Sequence, residues 1–454
     1  MNASNPRSAL VTDLYELTMA ASYFNEGMSA PATFSLFIRT YPKDWGYFIN
    51  AGLEDVLDYL ENFHFTDSEI DYLKTTGIFS ADFLDFLAGV RFSGTVWALK
   101  EGEIFFVGEP ILEITAPVIE AQIVETSIIN SVHLQSLICT KASRCMRAAQ
   151  GRPLIDFSLR RTHGVDAGLK VARSSYIAGF TGTSNVLAGQ LYGIPVSGTM
   201  AHSYITAFEE EIDAFRAFAH AHPDNTILLI DTYDTLSGAK KACEIGREMK
   251  DRGQKLRGVR LDSGDMAALS AKVRAILDDA GLQDTLVLAS SGFDEYKIAD
   301  VLARDARLDG FGVGTNMGVS KDVPTTDMAY KMVEYDGRPV LKLSTDKVSL
   351  PGEKQIFRTR DSNGRLKEDT LALRDEKPAA NASLLLSKVM ENGKRVFSET
   401  LDDIRKRCAD SLARLPDEVA RITQPAAYIL RESEGLKRQM NAVRDKARRQ
   451  IEKP

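Results

Sequence analysis

IPVSGTMAHSYITAF, Ile194–Phe208, is an apolar run that stops at Ser197-Gly198-Thr199 and then sets His202 where a helix should begin. Such a joint puts the imidazole at a strand's carboxyl end, beside backbone amides that the new helix leaves unsatisfied. A lone histidine more often packs or caps than reacts. Here the surrounding sequence favours chemistry, because the same arrangement recurs along the chain.

Apolar, β-branched runs end in polar clusters at Asp156–Arg161, Thr181–Ser184, Ser197–Thr199, Asp231–Asp234, Arg260–Asp265, Ser290–Gly292 and Gly312–Thr315. Segments with helical spacing, such as Gly238–Arg252 and Met266–Ala280, lie between most of them. Alternating strand and helix predict a parallel α/β sheet of seven strands, barrel-like, with ligands at the carboxyl ends of the strands.

The 454 residues suffice for two or three domains with real cores, and the composition is that of an ordinary globular protein. A formal charge of -7 argues against nonspecific nucleic-acid or membrane-surface binding and points to small-molecule partners. Cys139, Cys145, Cys243 and Cys408 show no C-x-x-C spacing, so neither a zinc site nor a disulfide framework is indicated. That usage, with no signal-like start and no long apolar run, leads us to expect a cytoplasmic protein.

Residues 8–30 read as a helix that Asp13 can cap, Thr33–Arg39 as a strand, 51–90 as amphipathic helix and Gly94–Thr115 as two short strands. The expected division is an α+β domain over 1–135 completed by 323–401, a barrel-like domain over 136–322, and a charged helical tail over 402–454.

Within RLDSGD, Asp262 and Asp265 suit Mg²⁺, held directly or through water, or sugar hydroxyls; capping of the following helix by Asp262 or Ser263 is the competing role. Arg260 tilts the balance toward a site. Gly312, Gly314 and Thr315 resemble a phosphate cradle, without the spacing of a dinucleotide fingerprint or the ending of a P-loop. Arg160 and Arg161 are a guanidinium pair fit for carboxylate or diphosphate. Phe157 and Tyr15 are flat apolar rings that could sandwich a heterocycle.

Together TDLYELTM (Thr12–Met19), DFSLRRTHG (Asp156–Gly164), GTSNVLAG (Gly182–Gly189), GTMAHSYITAF (Gly198–Phe208), RLDSGD (Arg260–Asp265), GFGVGTNM (Gly310–Met317) and KLS (Lys342–Ser344) resemble the nicotinate phosphoribosyltransferase family, in its order and through most of the chain. The resemblance implies an incomplete seven-stranded α/β barrel with an α+β domain of N-terminal and later segments, in a homodimer whose active sites are completed across the interface. It implies the joining of nicotinate to phosphoribosyl pyrophosphate, with ATP as co-substrate and His202 as the group that ATP phosphorylates. By the same resemblance Tyr15 and Phe157 sandwich the pyridine ring, and Arg260 and Thr199 lie near the nicotinate carboxylate. Asp262 with Mg²⁺ holds ribose and diphosphate, Arg160 the diphosphate, and Gly312, Gly314 and Thr315 the 5′-phosphate.

Asp231, ending the strand that follows His202, is expected to orient its imidazole. Ser158 stands where the family commonly has Gly. Nicotinamide phosphoribosyltransferases carry Asp at the position of Ser184 and Gly at that of Arg161, so both residues favour the acid substrate. The amide enzyme, the quinolinate enzyme and a catalytically silent binding homologue are the alternatives.

Overall fold

The computed structural model describes residues 8–342 and 349–451, so Leu343 and Ser344 of the KLS motif lie outside the described residues. The chain divides into two compact units, residues 1–137 with 325–454, and residues 138–324; the first division falls inside the helix Glu125–Ala148.

In the first unit, chain segments distant in sequence share one sheet. Its order is Arg338–Pro339, Met328–Tyr335, Pro31–Ile38, Leu112–Pro117, Thr95–Leu99, Leu386–Glu391 and Lys394–Arg395. Pro31–Ile38 is antiparallel to both neighbours, with Leu36 opposite Tyr330 on one side and Leu112 on the other. Phe34, Leu36, Ile38, Ile114 and Tyr330 are all buried, which is the apolar content that carries the pairing.

The helical reading of residues 51–90 resolves into Leu53–Glu61, Asp67–Thr76 and Ala81–Gly89. Thr66 and Glu69 form a capping box and Ser80 caps the third helix, so local hydrogen bonding restarts the helix twice. Asp13 sits at the start of the helix Leu14–Asn25, yet its carboxylate accepts from Thr126 Oγ1 at 2.9 Å rather than from the helix amides.

A second sheet orders Ser383–Leu384, Lys354–Arg360, Leu366–Leu373 and Leu430–Glu432. The last strand comes from the C-terminal segment and pairs in parallel with Leu366–Leu373. The helix Leu401–Arg414 buries Ile404 and Cys408, and Leu436 is fully buried, so this segment is part of the unit's core.

The second unit is a parallel sheet in the order Gly182–Thr183, Leu154–Asp156, Gly310–Val313, Leu286–Ala289, Gly258–Leu261 and Ile227–Leu229. Val259, Leu261, Val287, Ala289, Phe311 and Val313 are all buried along it. Helices Val165–Ile177, Thr235–Asp251, Met266–Asp279 and Glu295–Ala303 alternate with the strands. The sheet therefore has six strands where the sequence suggests seven. Ile194–Val196 makes one parallel bridge, Val196 with Thr183. Pro195 has no N–H to donate and only its carbonyl joins, accepting from Thr183 N at 3.0 Å, so the run stays an edge contact and the sheet is a half-barrel open on that side.

Carboxylates at the strand ends start the helices. Asp234 accepts from Ser237 N, Asp265 from Ala267 N and Ala268 N, and Asp294 from Lys297 N. Each satisfies amides that the helix cannot, a contribution of about 1 kcal/mol per cap. All four cysteines are buried. Among the described residues no helix is long and apolar enough to cross a membrane.

Candidate active site

The carboxyl ends of the parallel strands gather the polar clusters. His202 opens the helix His202–Thr206, as its sequence context predicts. Its Nδ1 lies 3.1 Å from Thr232 Oγ1, and its Nε2 faces Asp262 Oδ2 at 3.8 Å. His202 and Asp262 remain about two-fifths exposed, open to a ligand.

Asp262 is fixed from behind. Ser290 Oγ donates to its Oδ1, and the Arg260 guanidinium lies 3.4 Å away. Arg260 also donates through Nη1 to Ser290 Oγ at 2.8 Å and through Nη2 to Met200 O at 2.6 Å. Burial pushes the Arg260 guanidinium below its ordinary value; Asp262 and Asp231 oppose the shift and Arg160 adds to it. Its Nε–H is buried with no partner among the described residues, a donor suited to an anion.

Asp231 does not meet the imidazole, contrary to expectation. Its Oδ2 accepts from Asp262 N at 2.9 Å and Ser263 Oγ at 2.6 Å, so it clamps the RLDSGD turn. The physical reason is direction: the residue after it, Thr232, points at His202.

Asp265 likewise leaves the cluster. One oxygen caps the helix Met266–Asp279 and the other pairs with Arg304 at 2.6 Å. These partners hold its carboxylate below the usual range, Arg304 most of all. Capping, which the sequence offers to Asp262 or Ser263, falls to Asp265 instead.

On the neighbouring strands, Phe157 packs its ring on Gly312, where a Cβ would come within 2.5 Å of the ring carbons. Gly312 is thus needed for close approach. Ser158, the departure from the family pattern, turns inward and donates to Asp156 Oδ1 at 2.6 Å, while Thr183 Oγ1 donates to Asp156 Oδ2 at 2.7 Å. Burial raises the Asp156 carboxyl, and the hydrogen bonds from Ser158 and Thr183 offset part of the rise.

Arg160 and Arg161 lie on a short 3₁₀ turn, both exposed, with Arg161 Nη1 3.3 Å from Thr315 Oγ1. Ser184 and Thr199 are half-buried, the first beside Thr183 and the second before Met200. Gly314 precedes the short helix Thr315–Gly318. Tyr15 is in the first unit, where it is nearly half exposed at the start of the helix Leu14–Asn25. Burial, with Glu125 beside it, raises its phenol well above the ordinary value.

Two partners in this cluster went unassigned in the sequence reading, Thr232 and Ser290. Both stand in strand-end clusters that the reading did pick out, DTYD and SSG, and that position was the available signal. Next to Ser290, Ser291 has a φ of 95°, a left-handed backbone of a kind that concentrates at functional sites.

A half-barrel with an imidazole, a carboxylate and guanidinium groups at its strand ends defines an enzyme of group transfer to anionic substrates. Residues 10–133 match the nicotinate phosphoribosyltransferase N-terminal domain, 153–368 the nicotinate phosphoribosyltransferase family and 379–440 its C-terminal domain. The chain belongs to the nicotinate phosphoribosyltransferase family. It is 48% identical over 413 residues to a nicotinate phosphoribosyltransferase of Mycobacterium tuberculosis, covering 90% of this chain and 88% of that one. To the Bacillus subtilis nicotinate phosphoribosyltransferase it is 39% identical over 451 residues, covering 92% of each. The crystal structure of human nicotinic acid phosphoribosyltransferase superposes with a TM-score of 0.86 at 28% identity, covering 95% of this chain and 99% of that one.

Proposed function

We propose that this chain joins nicotinate to 5-phosphoribosyl 1-diphosphate, forming nicotinate mononucleotide and diphosphate for NAD synthesis, with ATP hydrolysis coupled through phosphorylation of His202. The observation that carries this reading is the 3.8 Å approach of His202 to Asp262 at the strand ends, beside Arg260, in a chain of this family.

Cleavage at the anomeric carbon develops oxocarbenium character on the ribose and negative charge on the departing diphosphate. Arg160, exposed and able to donate in a planar fork, suits the diphosphate; Gly312, Gly314 and Thr315 suit the 5′-phosphate. Arg260, with its unpartnered Nε–H, and Thr199 suit the nicotinate carboxylate, and Phe157 offers one face for the ring. Ser184 and Arg161 place no carboxylate against an acid substrate, which favours nicotinate over nicotinamide.

Mg²⁺ fits this site in one form. Among the described residues no group of three or more His, Cys, Asp or Glu could hold a metal, and Asp265 is engaged elsewhere. Asp262 is a half-exposed carboxylate whose Oδ2 faces the site, the kind of donor Mg²⁺ takes when substrate phosphates and water complete its shell. Bound there, it would neutralise developing charge on the diphosphate.

We read the half-barrel as an incomplete α/β barrel of six strands, with Ile194–Val196 an edge contact in place of a seventh, and 136–322 as the transferase domain. A homodimer with shared sites, Tyr15 coming from the second copy, is part of the same reading. Val165, Val186, Leu187, Leu191 and Val196 in one unit, and Leu14, Tyr15 and Met19 in the other, are exposed apolar side chains suited to such burial. A cytoplasmic setting fits the four buried cysteines without C-x-x-C spacing.

The test is mononucleotide formation by purified protein with phosphoribosyl pyrophosphate and Mg²⁺, offering nicotinate, nicotinamide or quinolinate, with and without ATP. We expect nicotinate turnover, stimulated by ATP, and loss of that stimulation in His202→Ala. Turnover of nicotinamide instead would sink the assignment to Ser184 and Arg161, and no product from any base would favour a silent binding homologue.

A further inference from the structure

We propose that Thr232 is the positioning residue that fixes the His202 imidazole for phosphoryl transfer, an inference resting on the reading of His202 as the group that ATP phosphorylates. His202 stands on a five-residue helix and its side chain is 43% exposed, so packing does little to restrain its ring. Among the described residues, Thr232 Oγ1, 3.1 Å from Nδ1, is the hydrogen-bonding partner of that ring.

Thr232 is itself well placed to set the site's spacing. Its neighbour Asp231 accepts from Asp262 N at 2.9 Å and from Ser263 Oγ at 2.6 Å. Two consecutive residues therefore grip the two reacting walls, Asp231 the turn that carries Asp262 and Thr232 the imidazole. One peptide unit, anchored at the end of the strand Ile227–Leu229, holds the 3.8 Å separation between Nε2 and Asp262 Oδ2.

A hydroxyl suits this task because it both donates and accepts. It donates to an unprotonated Nδ1 and accepts from a protonated one, so the same side chain serves either form of the ring. In the transfer, Nδ1 keeps the ring proton and donates it in a hydrogen bond to Thr232 Oγ1, so the Nε2 lone pair forms the N–P bond to the γ-phosphorus while the bond to the bridging oxygen breaks, and that electron pair leaves with ADP. Small errors of alignment are costly in such a displacement, so a freely turning ring would slow it.

The experiment measures incorporation of acid-labile label from γ-³²P-ATP into the purified full chain, as a single-turnover rate and as a function of ATP concentration. Thr232→Val keeps the shape and removes the hydroxyl; Thr232→Ser keeps the hydroxyl; Thr232→Ala repeats the loss without the valine's second methyl. We expect Val and Ala to slow labelling about 10- to 100-fold with the ATP concentration for half-maximal rate unchanged, and Ser to restore most of the rate. Labelling by the Val and Ala variants at the parent's rate, or a Ser variant as slow as both, would overturn the proposal. A parent chain that takes no label, or a His202→Ala variant that still does, would instead refute the phosphohistidine reading on which it rests.

Discussion

At the scale of single residues, the first unit contains a carboxyl group whose ionisation is set by burial. Glu16 is fully buried, accepting from Thr12 Oγ1 at 2.6 Å and from Thr126 N at 3.1 Å. Burial lifts its carboxyl to about 7, Glu125 adds to the rise, and the threonine hydrogen bonds oppose it. Because the folded value lies above the ordinary 4.5, the folded chain binds this proton more tightly than the unfolded one. The stability it contributes is fully present below about 4.5 and is lost as pH rises through about 7. Glu16→Gln, which cannot ionise, should therefore be the more stable protein at pH 8, by roughly 1–3 kcal/mol, and close to the parent at pH 5. Urea unfolding at the two pH values checks this, and a difference that does not change with pH would refute it. Nothing in ELTM marks Glu16 as buried, since its charge reads as a solvated helix position; only the approach of Thr126, 110 residues away, places it inside.

At the scale of elements, the βα alternation was legible because it rests on local signals: β-branched apolar runs, polar strand ends and capping carboxylates. Gly238 shows how closely one such pair packs. It lies inside the helix Thr235–Asp251, where a Cβ would come 2.1 Å from Ile230 O. Glycine in a helix normally costs about 0.5–1 kcal/mol against alanine. Here Gly238→Ala should instead destabilise, by about 1–3 kcal/mol, as the helix is pushed off the strand end that carries Asp231 and Thr232. A lowered thermal midpoint together with slower turnover is the expected result; a stabilised protein would show that the helix can shift freely. The seventh strand was misjudged for an equally local reason. IPV has the apolar content of a strand, but Pro195 removes the donor that a ladder needs, and that loss outweighs β propensity at this edge.

At the scale of the whole molecule, the C-terminal segment reads in sequence as charged helix suited to surface packing. The fold buries Cys408 and Leu436 and sets Leu430–Glu432 beside Leu366–Leu373. Removing residues from Asp402 onward should therefore impair folding or assembly rather than chemistry alone, because it exposes a strand edge and apolar core together. Circular dichroism and size-exclusion chromatography of the truncated chain check this; a stable dimer lacking only activity would contradict it. By itself the sequence determined the parallel α/β class, the strand ends that carry the polar groups, the helix start at His202 and the family motifs, because each is written in neighbouring residues. Tertiary structure alone decided that Thr232 and not Asp231 meets the imidazole, that Asp265 caps a helix while Asp262 faces the site, and that Glu16 is inside. Those outcomes depend on the register of strands and the direction of side chains separated by tens of residues, and periodicity and spacing along the chain do not encode either.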